Sequence, residues 1–409
     1  MKRNKPELLS PVSDFTSLTA AINSGCDAVY FGVKDLNMRI TAKNFKLSEI
    51  KKVIDICRKN NIRAYLTLNT IVYDNELKYI KKIIQKAKDV DAIICWDPSV
   101  INECRKQKIP IHISTQASVS NSKSAKFYKK LGAERIILAR ELSLEQIKKI
   151  KKDANIKVEC FIHGAMCVSI SGRCFLSQFI FNKSANRGDC LQPCRREYLI
   201  KDSEEGHELK LGNNYILSPR DLCTIQFIDK LIEAGIDAFK IEGRARSPEY
   251  VSVVTECYRK AIDAYFENKL SEKLKNELFD KLKSVYNRGF SSGFYLGKPV
   301  NEFSNPENQS KTKKIFVGVV KNYYDKVKVA EIKVEAHEIK LNDNLMFQGP
   351  TTGVYKQKIK SMEINHKKIN SVKRGGVGIE INKKVRKNDK VFLIKKWTRR
   401  DLNSQFTPF

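Results

Sequence analysis

Two spacings of apolar residues alternate along the first 240 positions. Short apolar runs fall at Glu7–Ser10, Ala28–Val33, Ala64–Asn69, Ala92–Asp97, Ile111–Thr115, Arg135–Arg140, Lys157–His163 and Ala238–Gly243. Between them lie stretches with apolar residues every three or four positions, such as FTSLTAAINSG, LSEIKKVIDICRKN and SLEQIKKIKK. The first pattern predicts buried strands and the second amphipathic helices. Gly25, Gly132 and Gly235 each close a helical stretch just before a strand, where a left-handed residue is needed to stop the helix. Regular βα alternation predicts a parallel sheet with helical crossovers. Eight such strands predict a (β/α)8, TIM-barrel-like N-terminal domain. Tyr215–Ser218 is a ninth candidate strand, and a doubly wound open sheet is the alternative. No GxGxxG follows a strand, which argues against a dinucleotide-binding fold.

The alternation breaks over residues 165–214, which are rich in Cys, Ser, Gly and Asn and show no clean period. Long irregular insertions of this kind usually carry function. A long helical pattern (about Glu249–Asn268) and a second helix ending near Tyr286 follow, then the turn-rich NRGFSSGFYLGKP. The expected division is a barrel domain with its insertion over 1–300, a polar linker over 301–314, and a C-terminal domain over 315–398. The last segment reads FVGVV, KVKVAEI, DNLMFQG, SMEI, GVGIEI and KVFLI, which predicts a small all-β barrel.

The predicted barrel strands end in Asn69, Asp97, Gln116, Arg140, His163 and Glu242. Barrel chemistry is placed at strand C-termini, so these residues are expected to line a pocket. In FKIEGRARSPEYV (239–251), Glu242 suits acid–base work and Arg244 suits a forked grip on a carboxylate or phosphate. A local ion pair between the two is the simpler reading. Ser247 and Pro248 read as a helix N-cap and first residue.

Charge adds a partner class. Lys and Arg number 76 against 46 Asp and Glu, a net charge of +30. A balance this basic favours a polyanion, RNA first. Scattered helix-face lysines such as Lys148, Lys149, Lys151 and Lys152 also contribute without any such meaning. No apolar run is long enough to span a bilayer. The opening MKRNKPELLSPVSDF has no apolar core of the secretory kind, so the expected location is cytoplasmic.

Eleven cysteines in such a chain argue against a disulfide framework. Most stand alone in apolar runs. Four do not: Cys167-x6-Cys174-x15-Cys190-x3-Cys194. Arg173, Arg187, Arg195 and Arg196 are interleaved with them, a setting expected to favour thiolates. The spacing predicts a metal site and leaves zinc and iron–sulfur both open. Protease signatures fail on inspection. HExxH is absent, and GFSSG around Ser291 follows a helix rather than the buried strand a nucleophile elbow needs.

ECFIHGAMCVSISGRCFLS (Glu159–Ser177) resembles the signature of peptidase family U-32, the collagenase-like proteases. The resemblance continues through NRGDCLQPCRREY, SPRDLCTI, KIEGRARSPEYV and NRGFSSGFYLGKP, and it covers most of the chain. It implies a 4Fe–4S cluster held by Cys167, Cys174, Cys190 and Cys194, with Cys223 a reserve ligand. Relatives in the family hydroxylate tRNA or ribosomal RNA with prephenate as the hydroxyl source. The C-terminal domain resembles domain 2 of translation elongation factors, which favours RNA as substrate. The resemblance therefore implies tRNA uridine C5 hydroxylation. Arg140, Arg220, Arg244, Asn69 and Gln116 would bind substrate, and His163 and Glu242 would handle protons. A U-32 peptidase and a non-enzymatic RNA-binding accessory protein are the alternatives.

Overall fold

The structure, a computed structural model, describes residues 4–198, 200–201, 204, 208–209, 217–299, 302–304 and 308–397. Eight parallel strands close a barrel: β1 Glu7–Pro11, β2 Ala28–Phe31, β3 Arg63–Leu68, β4 Ala92–Cys95, β5 Ile111–Ile113, β6 Ala133–Ile137, β7 Lys157–Gly164 and β8 Ala238–Ile241. Each pairs with the next, and β8 pairs with both β7 (Ala238 opposite Glu159) and β1 (Ala238 opposite Glu7). All eight expected strands are present, and the closure excludes the open sheet. Strands such as AVYF and AIIC are buried throughout because helices cover the outside and side chains fill the inside.

Local chemistry sets the crossovers. Asp14 caps helix Phe15–Asn23 in a reciprocal box with Ser17, and Ser143 and Gln146 do the same for Leu144–Ala154. Gly25, Gly132 and Gly235 adopt φ of +82°, +91° and +76°, as helix termination there requires. Asp97 is used as a cap: its Oδ1 accepts the Ser99 N–H at 2.8 Å.

The ninth strand is Asp221–Cys223, running antiparallel to the end of β7. The sequence placed it at Tyr215–Ser218, whose first two residues lie outside the described residues. Phe290–Ser291 pairs with it, so GFSSG forms an edge strand and the Ser291 hydroxyl accepts the Gly293 N–H.

The C-terminal unit is all β. Thr312–Tyr324, Val329–Val334, Asn344–Gly349, Gly353–Lys358, Gly375–Glu380 and Lys390–Lys396 form most of an antiparallel sheet. The sheet encloses its own core, including Val317, Ile332, Phe347, Ile379 and Leu393. It docks on the barrel through polar and ionic contacts. Thr19 donates to the Pro350 carbonyl at 2.6 Å, and Glu249 takes both Lys314 and the Gln348 amide at 2.7 Å. No helix among the described residues is long and apolar enough to cross a membrane.

Candidate functional site

The bottom of the barrel is sealed by a charge network. Arg135 meets Glu7 at 2.7 Å and Glu159 at 3.1 Å, and Glu159 takes Lys240 at 2.9 Å. Glu159 lies fully buried. Burial pushes its carboxyl up, but Lys240 and Arg135 outweigh that and hold it below the ordinary range. Lys240 is thereby fixed with its ammonium 4.3 Å from the Tyr30 ring centroid.

Above this floor is a cavity of about 150 Å³ at the C-terminal mouth. Cys167, Cys174, Cys190 and Cys194 all line it, with Asn69, Gln116, Arg140, Glu242 and Arg244. All four thiols are free, and they are the least buried of the eleven. Burial pushes the Cys190 and Cys194 thiols up, and the neighbouring thiols push the same way, so the four are close enough to sense one another. Among the described residues, no group of three or more His, Cys, Asp or Glu side chains is gathered closely enough to hold a single metal ion.

Five cations, Arg39, Arg140, Arg195, Lys240 and Arg244, face one carboxylate, Glu242. Glu242 does not pair with Arg244. It takes Arg39, at 3.0 Å from Nε and 2.9 Å from Nη2. Arg244 is held by neutral groups, donating to Asn37 Oδ1 at 2.9 Å and to the Thr67 hydroxyl at 3.0 Å. Burial lowers its guanidinium to about 10. Arg140 donates once, to the Ala165 carbonyl at 2.8 Å, and lies over the Phe161 ring. Its Nε and Nη2 are buried without a partner. Asn69 brackets the pocket, donating to Ser114 at 3.1 Å and Gln116 at 3.2 Å while accepting the Met38 N–H at 3.2 Å.

Two expected residues are elsewhere. His163 is buried behind the wall, packed on Tyr250, Tyr258 and Phe290, with Nδ1 3.3 Å from the Tyr258 hydroxyl. Burial drops it to about 3, so it is neutral, and it does not line the cavity. Alternation alone would place His163 on the same face as the cavity-lining Phe161, but β7 shifts register against β8 just there (between Lys240 and Ile241), and the extra residue turns His163 outward. Arg220 is also outside, its Nε on the Phe303 carbonyl at 3.1 Å. Cys223 sits with His163, 3.8 Å from the Tyr258 hydroxyl, and not with the four thiols.

The interleaved arginines mostly clamp the insertion. Arg173 donates to the Gln116 carbonyl at 2.9 Å, Arg187 forks onto Glu76, and Arg195 holds the Met166 and Pro219 carbonyls. Arg196 lies over Phe181. Only Arg195 among them lowers a thiol noticeably, opposing burial at Cys194. Gly188 fits the same purpose, because a Cβ there would lie 2.1 Å from the Asn37 carbonyl oxygen.

Arg39, Tyr30 and Lys240 were not anticipated. Lys240 left a signal, a lysine inside the apolar run DAFKI. Arg39 lies in a long loop after β2, where one arginine among several polar residues does not stand out.

A model of the family Peptidase family U32 matches residues 13–305. The chain belongs to peptidase family U32. An uncharacterized protease of Methanocaldococcus jannaschii is 45% identical over 405 residues, covering 95% of this chain and 98% of that protein. A collagenase of Porphyromonas gingivalis is 38% identical over 96% of this chain and 98% of its own length. The tRNA hydroxylation protein P1 of Bacillus subtilis is 35% identical, over 85% of this chain and 84% of its own. These U32 relatives thus carry both a protease and an RNA-hydroxylation name, and the site chemistry must arbitrate.

Proposed function

We propose that the protein hydroxylates a pyrimidine of RNA, with tRNA uridine C5 the preferred target and prephenate the hydroxyl source. The observation that carries this is the meeting, in one barrel-mouth cavity, of four free thiols and the partly unpartnered Arg140 guanidinium. Four thiols on the wall of one cavity supply the thiolate set that an iron–sulfur group takes. Cys167, Cys174, Cys190 and Cys194 would hold it, and when bound it would supply redox chemistry. Replacing a ring C–H by C–OH is a two-electron oxidation, and the co-substrate brings both the oxygen and the oxidising equivalents.

The chain's own side chains do the rest. Arg140 offers two N–H groups to a carboxylate, and Arg244 stands charged beside it. Glu242, held ionised by Arg39, Arg244 and Arg140, offsets the mutual repulsion of the cations in the wall and accepts hydrogen bonds. His163 takes no part in proton transfer. The net charge of +30 supports a polyanionic substrate.

The peptidase reading lacks chemistry here: among the described residues no histidine lines the cavity to activate a Ser or Cys nucleophile. Nucleoside mass spectrometry of tRNA and ribosomal RNA from a deletion strain tests the proposal. A hydroxylated pyrimidine should disappear and return with the wild-type gene, but not with Cys190→Ser. An unchanged nucleoside profile, or hydrolysis of fluorescent casein by pure protein, would reject it.

A further inference from the structure

An open cleft of about 640 Å³ runs between the barrel and the C-terminal sheet. Thr41, Arg244 and Ala245 line both this cleft and the thiol cavity, so the two spaces meet at the turn after β8. The cleft presents Lys43, Arg244, Arg246, Lys314 and Lys390 against a single carboxylate, Asp14. Asp14 is taken by Lys43, and Lys314 by Glu249. Arg246 and Lys390 meet no carboxylate among the described residues. Flat faces accompany the cations. Phe392 lines the cleft with the Lys314 ammonium 5.0 Å from its ring, and the adjoining space adds Tyr286 with the Arg246 guanidinium at 3.8 Å. The walls are fixed relative to each other by the Thr19–Pro350 and Glu249–Gln348 bonds.

We propose that this interdomain cleft is the track of a single-stranded RNA segment, which delivers the base to be modified past Arg244 into the thiol cavity. The proposal rests on the RNA-hydroxylation reading and extends it from substrate class to substrate path. Cations that follow a groove, interleaved with aromatic faces, match the two features every RNA strand has, phosphates and stacking bases. An acidic peptide would use only the cations. Chemistry on a base also demands that it leave its stack, and RNA loops present such bases. A cavity that opens sideways into a basic trough allows one base to enter while its neighbours stay outside. The C-terminal domain thus acts as the second wall of the substrate path, and the two domains are needed together.

The test uses the full-length protein. Anisotropy with a fluorescein-labelled oligouridylate is measured for wild type, for Lys43→Glu with Lys390→Glu, for Phe392→Ala, and for Lys148→Glu with Lys149→Glu on an outer helix. The cleft pair should weaken binding about ten-fold or more at low salt, since each reversal removes a phosphate contact and adds repulsion. The outer pair should leave binding unchanged, and the hydroxylated nucleoside in tRNA should fall in the same order. Equal weakening by both pairs, or full hydroxylation by a weakened cleft variant, overturns the proposal. Crosslinking wild-type protein to the same oligomer carrying 4-thiouridine gives an answer independent of variant folding. Crosslinks in peptides holding Tyr286 or Phe392 support the track, and crosslinks confined elsewhere overturn it. Cleft-specific binding with no hydroxylation by wild type would sink the reaction alone and leave the RNA track standing.

Discussion

Arg140 keeps one N–H on the Ala165 carbonyl and leaves its Nε and Nη2 buried without a partner. An unmet buried donor costs about 1–3 kcal/mol, which a bound carboxylate would recover. Arg140→Lys keeps the charge and loses the fork. The expected result is a fall of about 10–100-fold in kcat/KM for the anionic co-substrate, the equivalent of one or two such bonds, with the melting temperature nearly unchanged. Hydroxylation kinetics beside a thermal melt checks this; wild-type kinetics would remove Arg140 from the site. Glu242 gives a second residue-scale prediction. Burial pushes its carboxyl up, yet Arg39, Arg244 and Arg140 together hold it below its ordinary 4.5. A depressed carboxylate contributes fully above the unfolded value and loses that contribution as pH falls through the folded one. Glu242→Gln should therefore cost about 1–3 kcal/mol at pH 7, by freeing Arg39, and flatten the loss of stability below about pH 4.5. Urea titrations at both pH values read this directly, and an acid limb identical to wild type would contradict it.

At the scale of elements, the Cys-rich insertion has little core of its own. Phe175 and Phe179 are largely exposed, and the segment leans on clamps to the barrel. Arg187 is the strongest of these, forking onto Glu76 and donating to the Ile71 carbonyl while lying over Tyr73. Arg187→Ala should release the insertion without melting the barrel, because its contacts lie outside the main core. Anaerobic reconstitution should then give less than half the iron per chain of wild type, while the far-ultraviolet melt shifts by only a few degrees, in keeping with about 1.5–3 kcal/mol for a charged hydrogen bond. Cys223→Ser, in contrast, should keep its iron, since that thiol sits behind the wall. Iron retained at wild-type level in Arg187→Ala would show that the insertion stands without its clamp.

For the whole molecule, the decisive junction is where Gly353 meets helix Phe15–Asn23. Its φ is +69°, and a Cβ would lie 3.0 Å from the Ala20 nitrogen, against backbone that cannot give way. Gly353→Ala adds backbone strain to this overlap, together costing about 1–3 kcal/mol at the interface. Both domains keep their own cores, so the expected outcome is two intact units with a loosened junction. Limited proteolysis should become faster near residues 300–312, RNA affinity should fall, and iron content should hold. Unchanged proteolysis and affinity would show that the junction tolerates the methyl group.

The barrel was legible in the order of residues alone, because parallel strands buried on both faces must be apolar runs and their crossovers must be amphipathic, a pattern that survives without any knowledge of neighbours. The four thiols were equally legible, since clustered cysteines are conspicuous in an otherwise scattered set. Asn69, Gln116, Arg140, Glu242 and Arg244 were legible as strand-end polar residues, and all five line the cavity. Which strand-end groups face that cavity depends on contacts between distant segments. Asp97 turned out to be a helix cap, and a register shift sent His163 to the far side of its strand. Likewise the partner of Glu242 is Arg39, more than 200 residues away, and not the arginine two positions on. Such pairings depend on barrel closure, which brings distant loops to one mouth, and no local pattern encodes that distance.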